Sequence, residues 1–218
     1  MARKTKAEAE LTRLQILDAA RRVFHNCGVS RSSLEKVAQE AGVTRGAVYW
    51  HFANKAELFF AVRDEFTQGV QAADAALLSD EFPDALEGIA ASMLEFFRLL
   101  KASPHARQTF EIMMLRCEYV EEFTPVLQVV NEPCSDFKHK LGLAYQKAAS
   151  QGVLRPGLDP EEMAADSLAF ITGLFNQWIS LPEAEGEQLD VPRRIHTHLN
   201  LRRPAPVPAA APLAAAKA

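Results

Sequence analysis

The sequence predicts an all-α protein of nine helices, on three observations. Helix-starting punctuation recurs: Thr12-x-x-Gln15, Ser32-x-x-Glu35, Asn54-x-x-Glu57 and Asp159-x-x-Glu162 each have the capping-box form, in which side chain and backbone satisfy one another's free N–H groups. Ser103-Pro104, Thr124-Pro125 and Asp159-Pro160 place a cap residue before a proline at the first helical position, where the missing N–H costs nothing. Period-2 alternation of β-branched residues is absent, so no sheet is expected.

In order, helices are expected at roughly 10–26, 33–40, 44–51, 55–78, 84–101, 104–116, 124–150, 160–180 and 190–201. Pro133 falls well inside the seventh and should kink or interrupt it near Asn131. Three units follow: 1–54, with a basic N-terminal arm and three helices, two of them short; 55–203, a larger helical body; and 204–218, a Pro/Ala tail of low complexity expected to be disordered. MARKTK at the start is either a frayed tail or a basic arm that touches a partner.

With 48% hydrophobic and 24% charged residues the chain can bury a core. No run of about 18 uncharged apolar residues exists, and the N-terminus lacks a signal peptide's apolar segment, so a cytoplasmic protein is expected. Three cysteines, Cys27, Cys117 and Cys134, are an odd count without close pairing, against a disulfide framework or a cysteine zinc site. Net charge is −4, but unevenly placed: residues 1–60 hold 10 Lys/Arg against 6 Asp/Glu, and residues 61–218 hold 14 against 22. A basic head on an acidic body suggests that the head alone meets a polyanion.

The segment GVTRGAVYWHF concentrates aromatic and cationic residues in the third helix. Leu34, Val37, Ala38 and Ala41 turn the second helix inward, Gly42 supplies the exit, Val43 plugs the corner and Thr44 caps the next helix, the layout of a helix-turn-helix. At 100° per residue Val48 and Phe52 anchor the third helix, while Arg45, Gly46, Tyr49 and Trp50 share the opposite arc. Core packing is the bland reading of the two aromatics; a major groove suits the set better. Arg45 can pair with guanine O6/N7, and Tyr49 and Trp50 can touch phosphate or thymine methyl. His51 and Lys55 reach phosphates on one side, Ser32 and Ser33 on the other. Thr44 and Gly46 complete the candidate DNA-binding set.

TRLQILDAARRVFHNCGVSRSSLEKVAQEAGVTRGAVYWHFANKAELF resembles the DNA-binding domain of TetR-family transcriptional repressors, with Gly28, Ala38, Gly42, Val43, Tyr49, Phe52, Lys55 and Leu58 on pattern. MARKTK, RGAVYWHFANKAEL and FEIMMLRCEY resemble the AcrR/TtgR-like branch, which represses multidrug efflux pumps. The resemblance implies a recognition helix at 44–51, a homodimer on a palindromic double-stranded operator, and release by a hydrophobic small-molecule inducer.

In the body, candidate ligand-binding side chains are Phe66, Ser92, Met93, Phe96, Phe110, Met113, Met114, Cys134, Phe137, Leu141, Leu168, Ile171, Thr172, Phe175 and Asn176. They are soft, aromatic or singly polar, suited to promiscuous apolar ligands; by periodicity alone they are plain core, and the large phenylalanines could themselves fill much of a cavity. Phe170, Leu174, Trp178, Ile195 and Leu199 form further apolar faces on the last two helices. The resemblance implies that these are the dimer interface.

His196-x-His198 diverges on a helix, and no catalytic constellation, P-loop or nucleophile elbow appears, so no enzyme, metal or cofactor is implied. Three rivals remain. One is a same-architecture repressor answering an acyl thioester or a lactone, for which Arg116, Arg98 and Lys101 would need to face the pocket. The others are a helical ligand carrier without DNA binding, and an enzyme on a helical scaffold.

Overall fold

A computed structural model describes residues 5–120 and 123–205, the side chains of 65–73, 125, 129, 183, 184 and 187 excepted. The N-terminal arm before Thr5, the tail beyond Ala205 and the Phe66 side chain lie outside the described residues. Those residues form α1 (Lys6–Cys27), α2 (Leu34–Ala41), α3 (Arg45–His51), α4 (Lys55–Asp74) continuing into a 3-10 turn (Ala75–Leu78), α5 (Ala85–Ala102), α6 (Pro104–Leu115), α7 (Thr124–Ser150), α8 (Pro160–Ser180), α9 (Glu183–Gln188) and α10 (Val191–Asn200). No strand occurs among them. The nine expected helices are present, with the six-residue α9 added between the last two.

Several boundaries differ for identifiable reasons. α1 starts a turn early, because Thr5 and Glu8 form a complete capping box; Thr12 lies inside the helix and donates to the Glu8 carbonyl at 2.9 Å. α2 is capped by Ser33, whose hydroxyl accepts from the Lys36 N–H at 3.2 Å; Ser32 instead turns inward and donates to the Val29 carbonyl at 2.6 Å. Pro133 does not interrupt α7, which is helical through it. A proline removes one backbone bond from a 27-residue helix, and packing of α7 along α5 and α8 supports the remaining turns.

α1 to α3 pack around Ile16, Leu17, Phe24, Val37, Val48 and Phe52. The core continues without a break through Leu58 and Phe59 of α4 into the body, where Leu86, Ile89, Met93, Leu141, Tyr145 and Trp178 are buried.

Candidate nucleic-acid interface and ligand cavity

The head presents α3 by local chemistry. Gly42 adopts φ 65°, the left-handed conformation that ends α2 and that a side chain with a Cβ resists. Thr44 then caps α3 by accepting from the Ala47 N–H at 3.2 Å. Val48 is fully buried and Phe52 nearly so, whereas Tyr49 is 43% and Trp50 73% exposed. Burial therefore excludes core packing for the two aromatics. Arg45, Gly46 and Thr44 are exposed beside them.

Arg45 is already held in place. Its guanidinium pairs with Glu35 of α2 at 3.0 Å, donates to the Tyr49 hydroxyl at 3.3 Å, and lies 5.1 Å from that ring's centroid. Trp50 packs edge-on against His51, centroids 4.5 Å apart. Ser33 is half-buried at the start of α2. One of the expected phosphate contacts needs correction. Ser32 is 7% exposed and its hydroxyl proton is committed to the Val29 carbonyl, so it does not reach outward. Lys55 is half-buried, donates to the Ser30 carbonyl at 3.3 Å and sits 5.3 Å from the centre of the Phe123 ring, bracing the head against the body.

The body holds a cavity of about 420 Å³, within the usual range for small-molecule sites. Of the candidate lining residues, Ser92, Met93, Phe96, Phe110, Met113, Met114, Cys134, Phe137, Leu168, Ile171, Thr172 and Phe175 line it. Its aromatic wall is mutually packed: Phe175 lies 4.5 Å from Phe96 and 5.6 Å from Phe110 between ring centroids. The phenylalanines wall the space rather than fill it.

Two candidates do not line it. Leu141 is fully buried core; its neighbour Lys140 faces the cavity instead. Asn176 is outside the lining and donates to the Thr172 carbonyl at 3.3 Å. Sequence reading missed a polar wall from α4 and α7: Arg63, Asp74, Asn131, Glu132, Asp136 and Lys140, together with Val130 and Pro133. Lys140 and Asp74 are ion-paired at 2.7 Å. A signal existed, since Arg63 precedes Phe66 by three on α4, and Val130 and Pro133 extend the Cys134/Phe137 stripe of α7. Arg98, Lys101 and Arg116 are exposed and outside the lining, Arg98 being paired with Glu95 on its own helix.

α6 joins cavity and head. Phe110, Met113 and Met114 line the cavity, while Glu111 between them contacts His25 of α1 at 2.7 Å and accepts from Arg107 at 2.9 Å. At the helix end the Arg116 carbonyl accepts from the Val29 N–H at 2.8 Å. Arg107 also lies 4.6 Å from the Trp178 ring centroid.

Four of the five residues expected at the dimer face are corrected. Leu174, Trp178, Ile195 and Leu199 are 5%, 2%, 0% and 2% exposed in the single chain, packed inside their own bundle. Phe170 is half-buried and stacks on His198 at 3.8 Å, 11° from parallel. An apolar face needs a partner helix, and here α10 finds it in α5. The outward strip of α8 is Ala165, Ala169, Gly173 and Gln177. His198 accepts or donates in a buried chain, Tyr145 Oη to Ser167 Oγ at 2.7 Å and Ser167 Oγ to His198 Nε2 at 3.0 Å. Burial, then the nearby Arg202 charge, lower its pKa to about 4. Among the described residues, no cluster of three or more His, Cys, Asp or Glu side chains could hold a metal ion, and no helix is long and apolar enough to cross a membrane.

Comparison with known proteins places this geometry. Residues 16–62 match the bacterial regulatory proteins of the tetR family, and residues 84–201 match the C-terminal region of MAATS-type transcriptional repressors. The chain is 35% identical to the HTH-type transcriptional regulator TtgR of Pseudomonas putida, over 94% of this chain and 98% of that one. Among solved structures it resembles NalD, the secondary repressor of the MexAB-OprM multidrug efflux pump in Pseudomonas aeruginosa. That match has 34% identity and a TM-score of 0.74, over 89% of this chain and 94% of that one. It also resembles SmeT, from Stenotrophomonas maltophilia, in complex with triclosan, at 31% identity and a TM-score of 0.68 over 88% of this chain and 90% of that one. These relatives are transcriptional regulators, not enzymes. The chain belongs to the tetR family of bacterial regulatory proteins and is a TetR-type transcriptional repressor.

Proposed function

We propose that this repressor controls a multidrug efflux operon and leaves its operator when a hydrophobic small molecule fills the cavity. The observation that carries the reading is α6, which bears cavity-lining Phe110 and Met113 on the same two turns as Glu111, the contact to α1. A ligand that moves one face of a rigid helix moves the other. The similar repressors NalD, of the MexAB-OprM multidrug efflux pump, and SmeT, of the SmeDEF multidrug efflux pump, support the choice of operon.

In this reading residues 1–54 form the DNA-binding domain and 55–203 the ligand-binding and dimerisation domain. Arg45, Tyr49 and Trp50 enter the major groove, Thr44 and Gly46 allow close approach of the helix start, and Ser33 and His51 meet phosphates on either side. Lys55 braces the head. A homodimer, packed through the outward strip of α8, places two such heads on a palindrome with half-sites about 34–36 Å apart. Ligand-bound bodies favour a head spacing that no longer matches that repeat.

The test is fluorescence anisotropy on the intergenic DNA upstream of the gene and its neighbours, at low and high salt, with and without hydrophobic antimicrobials. Salt-steep, sequence-dependent binding that these compounds abolish is expected. Binding indifferent to sequence, or DNA release absent with the cavity occupied, would refute the assignment.

A further inference from the structure

The cavity lining contains an ion pair that joins two helices, Lys140 of α7 to Asp74 of α4 at 2.7 Å. Asp74 is the last residue of α4, where the helix's own carbonyls repel a carboxylate, and it caps nothing in the 3-10 turn that follows. Its hold is on Lys140. That lysine has a second carboxylate within reach. Asp136 stands one turn earlier on α7, lines the same cavity and, among the described residues, is in no ion pair. An acid four residues before a lysine is the favourable order for pairing along a helix. Exchange from Asp74 to Asp136 therefore keeps the ammonium paired while α4 parts from α7 and Asp74 meets water. The other end of α4 is tied to the head, where Lys55 donates to the Ser30 carbonyl.

On the cavity reading above, we infer that Lys140 is a positioning residue for induction. Paired with Asp74 it holds α4 against α7 in the ligand-free, operator-binding arrangement; paired with Asp136 it lets α4 go when an apolar compound takes up the space beside it. A half-buried ion pair is weak enough, net of desolvation, for a ligand's apolar contacts to outweigh it. Lys147, two turns further along α7, ties the same segment through Asp80 and the Ser79 carbonyl but stands outside the lining, so it holds the segment without answering to the cavity. Because a ligand's apparent affinity scales with the fraction of protein in the state that accepts it, the two aspartates act in opposite directions. Asp74 lowers inducer affinity and Asp136 raises it.

The probe is N-phenyl-1-naphthylamine, a neutral fluorescent apolar compound, titrated into the full chain alone and on operator DNA. Asp74→Asn and Lys140→Gln are expected to bind it about fivefold more tightly than wild type and to leave the operator at about a fifth of the probe concentration. Asp136→Asn is expected to bind it about twofold more weakly, although it too removes a carboxylate from the wall. The double exchange Asp74→Lys with Lys140→Asp, which restores the crossing pair without the alternative partner, should bind the probe no more tightly than wild type. Lys147→Gln should match wild type. Tighter binding by Asp136→Asn would show that the wall's polarity alone decides affinity, and equal gains in Lys147→Gln and Asp74→Asn would show a general loosening. Either result, or no gain in Asp74→Asn, overturns the partner exchange and leaves the cavity reading standing. A wild-type protein that binds its operator but not the probe, or binds both at once without release, overturns both.

Discussion

Trp50 and Val48 are two positions apart on the seven residues of α3 and should behave in opposite ways on truncation. Val48 is 0% exposed. Val48→Ala removes two methyl groups from a packed core, about 1.6 kcal/mol of transfer energy at about 0.8 per carbon, and roughly 2 kcal/mol once the cavity left behind is included. Trp50 is 73% exposed. Of a side chain of roughly 250 Å² about a quarter is covered, which bounds the cost of Trp50→Ala near 1.5 kcal/mol at about 25 cal/mol per Å², and near 1 once shielding in the unfolded chain is allowed for.

For a domain this size, ~2 kcal/mol corresponds to a melting-temperature loss of about 4–8 °C. Val48→Ala should show that loss. Trp50→Ala and Tyr49→Ala should lose at most a few degrees, yet bind the operator about 5- to 150-fold more weakly, the range of ~1–3 kcal/mol per lost contact. Scanning fluorimetry, size-exclusion chromatography and anisotropy on operator and scrambled duplexes measure the three quantities. If both aromatic variants melt as low as Val48→Ala, or keep full operator affinity, the exposed arc is not the reading surface.

Three further outcomes follow from other contacts. His198 has its pKa lowered from 6.5 to about 4 by burial first and Arg202 second, so the unfolded chain binds the extra proton. Stability should be complete above pH ~6.5 and decline as pH falls toward ~4, by about 1–2 kcal/mol after discounting for partial exposure; melting curves of wild type and His198→Gln at pH 7 and pH 5 should show a smaller acid loss in the variant. Gly42→Ala meets no atom within 4 Å but keeps φ 65°, so it should cost ~1–2 kcal/mol of backbone strain, with Gly42→Asn milder by thermal melting. Glu111→Ala removes the contacts to His25 and Arg107. Inducer and operator affinities measured separately should stay within about threefold, while the inducer's effect on operator binding shrinks about tenfold.

The surface of α3 was legible because a single amphipathic turn pattern separates Val48 and Phe52 from Tyr49 and Trp50, and no other chain is needed to interpret it. Most of the apolar lining was legible for the same reason. The polar wall was not, since Arg63, Asp74 and Lys140 look from sequence like solvated helix charges. Leu174, Trp178, Ile195 and Leu199 show another limit: an apolar stripe announces that something covers it without saying whether the cover is the same chain, and here it is. Adjacent serines hid the cap of α2, because Glu35 stands three residues from Ser32 while the backbone turned Ser33 into place.

Glu35 gives the head a selective reluctance. By clasping Arg45 at 3.0 Å it occupies the guanidinium with a carboxylate, much as a guanine edge would. On the proposed docking that exposed pair must open before Arg45 reaches a base, a small cost at such exposure. Two aligned acceptors on a guanine repay it more fully than a single phosphate oxygen, which tilts the side chain toward the right sequence.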